Sequence, residues 1–386
     1  MDFTQPDELK DIRESVRALC SDFPGEYWRE LEPDRYPTEF VEALTSHDWL
    51  GALIPEEYGG SGLQIGAASV IMEEICRSGC NAGACHAQMY VMGTVLRHGS
   101  EEQKAEYLPK IASGELRLQA FAVTEPDAGS DTTQIKTRAR RKDDGGWVVD
   151  GQKIWTSRAE HSDLMILLAR TTPLEEVEKK TDGLSVFIVD MRDRGPQLTI
   201  KPIKTMMNHA TTEVFFDGLE LPEGALVGEL GKGFRHILSG MNAERILIAA
   251  ECIGDGRFFI DRATRYASER VVFGKPIGAN QGVQFPLAQA HMAVEAADLM
   301  RWKAASLYEA GANAGAEANM AKYLASEASW AAANASIDAH GGFGFAAEYD
   351  IERKFRETRL YKTAPIANNL VQAFVGHHVL GMPRSY

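Results

Sequence analysis

The stretch RLQAFAVTEPDAGSD, residues 117–131, marks a change in the period of the sequence. Before it, apolar residues recur three and four positions apart, as in IGAASVIMEEICRSG (65–79), a pattern typical of amphipathic helices. After it, as far as residue 228, short runs rich in Val, Ile, Phe and Thr alternate with turn signals such as Asp-Gly, which predict antiparallel strands. Beyond residue 228 the helical period returns in long Ala-rich segments, which predict a bundle of helices.

These periods predict an α+β multidomain protein. We expect an N-terminal α-helical domain over residues 1–117, an inserted antiparallel β domain over 118–228 and a C-terminal α-helical domain over 229–386. A chain of 386 residues, 44% of them apolar, is long enough to bury more than one core. Within the first domain, Ser100 and Gln103 have the spacing of a capping box at the start of a helix.

Composition excludes several classes of function. A formal net charge of −14 argues against nucleic acid as a partner, because phosphate backbones are bound by displacing their counterions with Lys and Arg. The first residues lack the basic and apolar segments of a signal peptide, and no stretch approaches the ~20 apolar residues of a membrane helix. Cys76, Cys80 and Cys85 lie near His86, but their spacing fits no common zinc pattern. We therefore expect a cytoplasmic protein with reduced thiols, no metal and no membrane contact.

Five local strings follow one another in the order known from one family of flavoproteins. They are VTEPDAGSD (123–131), GQKIWTS (151–157), FDGLELP (216–222), ERVVFGKPI (269–277) and GGFGF (341–345). In this order, and around the β insertion, they resemble the acyl-CoA dehydrogenase family over nearly the whole chain. The resemblance implies an N-terminal helical domain, a central antiparallel β-barrel, a C-terminal four-helix bundle and FAD held non-covalently. It also implies a homotetramer, usually a dimer of dimers, in which one subunit completes the FAD site of its neighbour.

The resemblance also implies which residues contact FAD: Phe121, Val123, Thr124, Gly129, Ser130, Trp155, Ser157, Arg270, Phe273, Gln281, Asp338, Gly341 and Gly342. By the same resemblance, Ser130 also meets the pantetheine of CoA and Arg270 serves the FAD of the neighbouring subunit. An Arg suits a pyrophosphate because its planar guanidinium donates two parallel hydrogen bonds.

Each string also has a simpler structural interpretation. VTEPDAGSD could be an ordinary capped turn, Trp155 a core residue, Arg270 a cation at a helix C-terminus, and the glycines of GGFGF a helix stop. Asp338 departs from the family pattern, since many members carry Gln there. A carboxylate would repel a phosphate, which leaves a contact to a hydroxyl or to the base.

The reaction implied by the resemblance removes a proton from the carbon α to a thioester while hydride leaves the β carbon for the flavin. It needs a carboxylate base whose pKa burial raises toward the working pH. Many family members place that Glu directly after a Tyr late in the bundle, but this chain has Lys362 after Tyr361. The nearest carboxylates, Glu352 and Glu357, match nothing catalytic.

A minority of the family, resembling isovaleryl- and long-chain acyl-CoA dehydrogenases, supplies the Glu from another bundle helix, directly before an Arg. MNAERILIAA (241–250) has this arrangement in Glu244-Arg245. Helical phase places Glu244 in an apolar stripe with Ile237, Met241 and Ile248, whereas Arg245 lies about 100° round the helix. A charge in such a stripe is costly unless it is paired, so Glu244 is either a buried ion-pair partner or the base. The resemblance favours the base, with Asn242 and Arg245 bordering CoA.

The function implied by the resemblance is FAD-dependent dehydrogenation of an acyl-CoA to a trans-2-enoyl-CoA, with electrons passed to electron-transfer flavoprotein. One alternative is an acyl-CoA oxidase or a flavin monooxygenase on the same fold. Another is a binding or assembly protein without turnover, in keeping with Lys362 at the usual place of the base. The acyl chain is not specified: Met89, Tyr90 and Met92 are candidates for a tail pocket and equally for ordinary core.

Overall fold

The computed structural model describes residues 6–193 and 195–384. Residues 1–5 and 385–386, at the outer ends of the first and third expected domains, and residue 194 in the second lie outside the described residues.

Helices fill the chain before the first strand. They are α1 (Asp7–Ser21), α2 (Gly25–Glu30), α3 (Thr38–Ser46), α4 (Ile65–Arg77), α5 (Gly83–His98) and α6 (Glu101–Ala112). The capping box at the start of α6 is confirmed, because the Gln103 N–H donates to the Ser100 hydroxyl while the Ser100 N–H donates to the Gln103 side chain. Two orphan amides at this helix end are satisfied in this way.

The middle of the chain forms a mixed sheet. Its strands are β1 (Leu118–Ala122), β2 (Arg138–Arg141), β3 (Trp147–Ser157), β4 (Leu164–Arg170), β5 (Leu184–Asp190), β6 (Leu198–Pro202), β7 (Thr211–Leu221) and β8 (Leu226–Val227). The strand order is β6-β7-β3-β2-β4-β5-β8, and β1 also pairs with β4. Alternate residues of β4 enter two different hydrophobic clusters, so both faces of this strand are buried.

The expected closed antiparallel barrel is not found among the described strands. Hydrogen bonding ends at β6 on one side and β8 on the other, and these two strands do not pair with each other within residues 6–193 and 195–384. In addition, β1 and β2 run parallel to β4. Asp144-Gly145 does lie in the turn between β2 and β3, but the turn expected at Asp150-Gly151 is wrong, because this pair lies inside β3 at an irregularity of its pairing with β7. Such signals also contain no information on pairing between strands that are distant in sequence.

The C-terminal part is helical. It contains three long helices, α7 (Gly233–Glu269), α8 (Gln281–Glu309) and α9 (Gly315–His340), and two short ones, α10 (Ile351–Thr358) and α11 (Asn368–Phe374). A small hairpin of β9 (Val271–Val272) and β10 (Lys275–Pro276) connects α7 with α8. None of the described helices is long and apolar enough to cross a lipid bilayer.

Contacts divide the chain into two units. The first unit comprises the described parts of Met1–Pro33, Gln64–Ala82 and Asn242–Tyr386. The second comprises Asp34–Leu63 and Gly83–Met241, which includes the whole sheet from β1 to β8. Candidate site residues occur in both units.

Candidate functional site

In the second unit, the chain leaves β1 through a tight turn, Val123–Ala128. The Glu125 and Ala128 backbones exchange two hydrogen bonds of 3.1 Å, and the Ile154 N–H of β3 donates to the Thr124 carbonyl at 2.9 Å. The turn is therefore fixed to β3 by backbone as well as closed on itself. The expected cofactor residues of this segment are half-buried at Phe121, Val123 and Thr124 and exposed at Gly129 and Ser130.

Trp155 lies at an irregularity in β3. Lys153 is opposite Val214 of β7 and Thr156 is opposite Thr212, so β3 holds one extra residue, as in a β-bulge. Trp155 has a φ of 62°, in the left-handed region that bulky residues rarely adopt, and it is 57% exposed. It is therefore not a core residue, and its indole face is available for stacking on a planar ligand.

Ser157 ends β3 opposite Thr211 of β7 and is half-buried. Its hydroxyl and those of Thr124 and Ser130 supply donors and acceptors in the same unit as the Trp155 indole.

Sequence patterns did not indicate one further feature of this segment, a buried ion pair between Lys153 and Glu125 with 2.9 Å between Nζ and Oε1. Its partners are 28 residues apart, and no periodicity links them.

In the first unit, the hairpin after α7 presents Phe273. Phe273 and Gly274 both have positive φ, 52° and 77°, as a two-residue type I′ turn requires. The Phe273 side chain is 99% exposed. Beside it, Arg270 is exposed and its guanidinium lies 5.9 Å from the centre of the Phe343 ring, while Gln281 begins α8 with an exposed side chain.

The end of α9 forms a second open surface in the first unit. Gly341 caps the helix with a φ of 58°, and a Cβ added to Gly341 or Gly342 would meet no described heavy atom within 4 Å. A helix stop is thus confirmed at Gly341, and backbone is accessible there to a ligand. Asp338, one turn earlier, is exposed.

These residue types fit FAD. An exposed indole and three hydroxyls suit a planar ring with a polar edge, and an exposed guanidinium with open glycine backbone suits a pyrophosphate. Trp155, Phe273 and Arg270 are exposed and do not contribute to the core of either unit, which favours contact with a ligand or another chain.

On α7, Glu244 and Arg245 are both buried. Glu244 is 7% exposed, as its phase predicted, and all residues from 243 to 253 are buried, so the helix is enclosed on every side here. Arg245 Nη1 donates to the Asn242 side-chain oxygen at 3.2 Å, whereas Arg245 Nε is buried without a hydrogen-bond partner among the described residues. Burial lowers the pKa of Arg245 more than Glu244 raises it. The spare donor can receive an acceptor atom of a ligand.

Lys362, which by the family resemblance stands where many members carry the base, is paired with a carboxylate. Lys362 Nζ lies 2.8 Å from Glu327. Tyr361 beside it is buried, and its hydroxyl donates to Glu251 of α7 at 3.1 Å. Glu251 is seven residues after Glu244, on the same side of α7, a spacing that could have revealed it in the sequence.

The two nearest late carboxylates are also paired. Glu357 contacts Arg353 and Lys354 at 2.9 Å each, and Glu352 contacts Arg356 at 2.8 Å. Burial alone would raise the pKa of Glu357, but the two cations hold it below its usual value. A carboxylate stabilised in its charged form is a poor proton acceptor, so Glu357 is not suited to act as a base.

Comparison with known proteins identifies the family. Models of the N-terminal, middle and C-terminal domains of acyl-CoA dehydrogenases match residues 6–115, 120–219 and 231–365. The chain is 36% identical to acyl-CoA dehydrogenase FadE12 of Mycobacterium tuberculosis over 390 residues, which cover 100% of this chain and 99% of the relative.

Solved structures are similar over the same length. Butyryl-CoA dehydrogenase from Megasphaera elsdenii is 28% identical with a TM-score of 0.91, covering 98% of this chain and 100% of the other. A chain solved in work on the electron transferring flavoprotein of Acidaminococcus fermentans is 27% identical with a TM-score of 0.91, at 98% and 100% coverage. The chain therefore belongs to the acyl-CoA dehydrogenase family of FAD-dependent oxidoreductases.

Proposed function

We propose that this protein oxidises an acyl-CoA thioester to the trans-2-enoyl-CoA with Glu244 as the base. The observation that carries the proposal is the burial of Glu244 on α7, directly before Arg245, while Lys362 at the usual position of the base is paired with Glu327. A carboxylate on a helix, next to the residues assigned to CoA, suits proton abstraction because the helix fixes its position relative to the substrate.

We assign the cofactor contacts to this chain's residues as follows. Trp155 stacks against the flavin, and Phe121 and Val123 line the flavin site. Thr124, Ser157 and the Gly129-Ser130 backbone hydrogen-bond the polar edge of the flavin.

The FAD of a neighbouring subunit is assigned to a second group of residues. Arg270, with Phe273 and Gln281, binds its pyrophosphate, and the backbone of Gly341 and Gly342 approaches it closely. Asp338 is assigned to a hydroxyl or base contact, since its charge does not suit a phosphate. When bound, FAD supplies the hydride acceptor.

CoA is assigned to the residues next to the base. Arg245 has a buried guanidinium nitrogen available for an acceptor, and Asn242 already orients that guanidinium through its side-chain oxygen. A substrate carbonyl or phosphate would satisfy this donor. Ser130 contributes a hydroxyl on the pantetheine side.

The wider assignments follow from the same family relationship. The electron acceptor is proposed to be electron-transfer flavoprotein, and the relative from work on such a protein supports this choice. Domains are proposed over residues 1–117, 118–228 and 229–386, with α7, α8, α9 and the shorter C-terminal helices forming the family's four-helix bundle.

A homotetramer is proposed from the family relationship, and an apolar stripe on α8 supports contact between subunits. Phe285, Met292 and Leu299 recur every seven residues and are all more than half exposed. A period of seven keeps such residues on one side of a helix, and an exposed stripe of this kind is typical of a face that another chain covers.

Anaerobic mixing of the FAD-loaded protein with a panel of straight and branched acyl-CoAs tests the function. We expect at least one to bleach the flavin and to yield a 2-enoyl-CoA. No bleaching by any of them would contradict the proposal. Stoichiometric peroxide in air would identify an oxidase or monooxygenase, and protein unable to take up FAD would identify a non-catalytic binding protein.

A further inference from the structure

Lys153 lies at the centre of the segment assigned to the flavin. Its side chain is 0% exposed, and its Nζ donates to the Val123 carbonyl and to Glu125 Oε1, both at 2.9 Å. Lys153 is also the last regularly paired residue of β3 before the bulge that exposes Trp155. The Lys153 ammonium group therefore connects the start of the β3 bulge with the turn after β1.

Glu125 extends the connection to a third segment. Its Oε1 accepts the Thr137 N–H at 2.8 Å and its Oε2 accepts the Lys136 N–H at 2.6 Å. Thr137 in turn donates its hydroxyl to the Gln152 carbonyl of β3 at 3.2 Å. The Lys153–Glu125 pair thus joins the turn, β3 and the segment leading into β2, with every contact buried or half-buried.

We propose that Lys153 and Glu125 are positioning residues for FAD: the charged pair holds the Val123–Ser130 turn and the Trp155 bulge in the arrangement that binds the cofactor. This inference rests on the proposed function, because it takes these two segments as the flavin site. Neither residue is among those assigned to contact FAD. Breaking the pair should therefore weaken FAD binding without removing any group that contacts FAD.

The surrounding charges make the pair sensitive to pH. Glu125 is the ionisable group that faces Lys153, and Glu125 itself is faced by Lys153 and, from β4, by Arg170. The Lys136 side chain points away, 3.5 Å from Asp127 at the surface. Burial lowers the pKa of Lys153 to about 8, against the opposing effect of Glu125. Burial alone would raise the pKa of Glu125, but Lys153, Thr137 and Lys136 hold it below its usual value.

The sign of the pH effect follows from these directions. Glu125 stays charged through neutral and alkaline pH, whereas Lys153 loses its proton as pH rises through about 8. If FAD binds the charged pair preferentially, affinity is constant below this pH and falls above it. Global stability does not follow the same course, because a lysine with a depressed folded pKa makes the folded state relatively more stable as pH rises toward the unfolded value. Loss of FAD is thus separable from unfolding.

The experiment measures the FAD dissociation constant of the full-length holoprotein by dilution, from the fluorescence of released flavin, between about pH 6.5 and 9.5. The affinity of the wild-type protein for FAD should fall by up to about tenfold per pH unit above pH 8. Lys153→Met should bind about tenfold more weakly at neutral pH, with no transition near 8. Lys153→Arg should remove the transition, because Arg keeps its charge. Lys136→Met changes an exposed lysine in the segment leading into β2, and its FAD affinity and pH profile should match those of the wild type.

A wild-type affinity that does not change with pH would overturn the proposal, and so would a Lys153→Met protein with wild-type affinity and pH profile. Should Lys153→Met fail to fold by far-UV circular dichroism, the double variant Lys153→Met/Glu125→Gln removes both buried charges and is measured in its place. No acyl-CoA enters these measurements. A protein that holds FAD but is not reduced by any acyl-CoA contradicts the proposed function, whereas the pH profile alone decides on the pair.

Discussion

At the scale of single residues, Glu244 and Glu251 are two buried carboxylates on one helix that have different neighbours. Glu251 accepts a hydrogen bond from Tyr361, while Glu244 precedes a guanidinium that has a spare donor. A hydroxyl that hydrogen-bonds a buried carboxylate stabilises the folded state. We therefore assign Glu251 a structural role, whereas Glu244 is the proposed base.

Tyr361→Phe tests that role of Glu251. Removing the hydroxyl takes away a buried donor of a carboxylate, so we expect the free energy of unfolding to fall by about 1–3 kcal/mol. Chemical denaturation measures this change. Tyr58→Phe is the matched control, since its hydroxyl makes a longer, exposed bond of 3.4 Å to Glu101. Equal stability of the Tyr361→Phe and parent proteins would show that the bond contributes nothing.

Sequence could predict residues only where a pattern marks them. Glu244 stands out because helical phase puts a charge in an apolar stripe and because Lys362 replaces the expected carboxylate. The Lys153–Glu125 pair leaves no such mark, because only the folded chain brings β3 beside the turn, through the Ile154–Thr124 backbone hydrogen bond. Likewise, nothing in phase indicated that Arg245 is buried, since it faces a different direction from Glu244 on a helix that is enclosed on all sides.

At the scale of elements, α10 is anchored by buried charges. Lys354 lies 2.7 Å from Asp255 of α7 and 2.9 Å from Glu357, and Asp255 and Lys354 are completely or almost completely buried. Burial raises the pKa of Asp255 to about 7 despite the opposing effect of Lys354. The sequence of α10 contains several charged residues but does not indicate which of them point inward, because pairing with α7 is a tertiary feature.

Lys354→Met tests this anchor. It leaves two carboxylates in a buried site with one cation fewer, so we expect a loss of about 3–5 kcal/mol in the free energy of unfolding. Urea denaturation provides the value. Lys142→Met removes one partner of a surface pair with Glu220 and should cost less than about 1 kcal/mol. Similar losses in both variants would refute the distinction between buried and exposed pairs.

The strands themselves show where sequence-based prediction ended. Alternation and Asp-Gly turns predicted the β region, and eight strands do lie between residues 118 and 227. The parallel pairing of β1 and β2 with β4 was not predictable, because each partner is separated from β4 by at least one other element. Trp155 is a further example: its exposure depends on a bulge that the regular alternation of β3 conceals.

At the scale of the whole molecule, the apolar stripe on α8 is the face at which we expect another subunit to bind. Met292→Glu places a charge in the centre of the α8 stripe, and a charge buried unpaired at an interface is strongly unfavourable. We expect this variant to have a smaller mass than the parent by light scattering. Gln284→Glu, about 100° away from Phe285 on the same helix, should not change the mass. A monomeric parent would contradict the proposed tetramer, and an unchanged mass for Met292→Glu would show that the α8 stripe is not part of its interface.

The proposed reaction depends on removal of the α proton by Glu244. Single-turnover reduction of the flavin by an acyl-CoA that bleaches the parent enzyme measures this step directly. Glu244→Gln keeps the shape of the side chain but cannot accept the proton, so the rate should fall at least about 100-fold. Glu251→Gln, on the same face of α7, should retain a rate near that of the parent. Reduction of Glu244→Gln at the parental rate, or loss of reduction only in Glu251→Gln, would contradict the account.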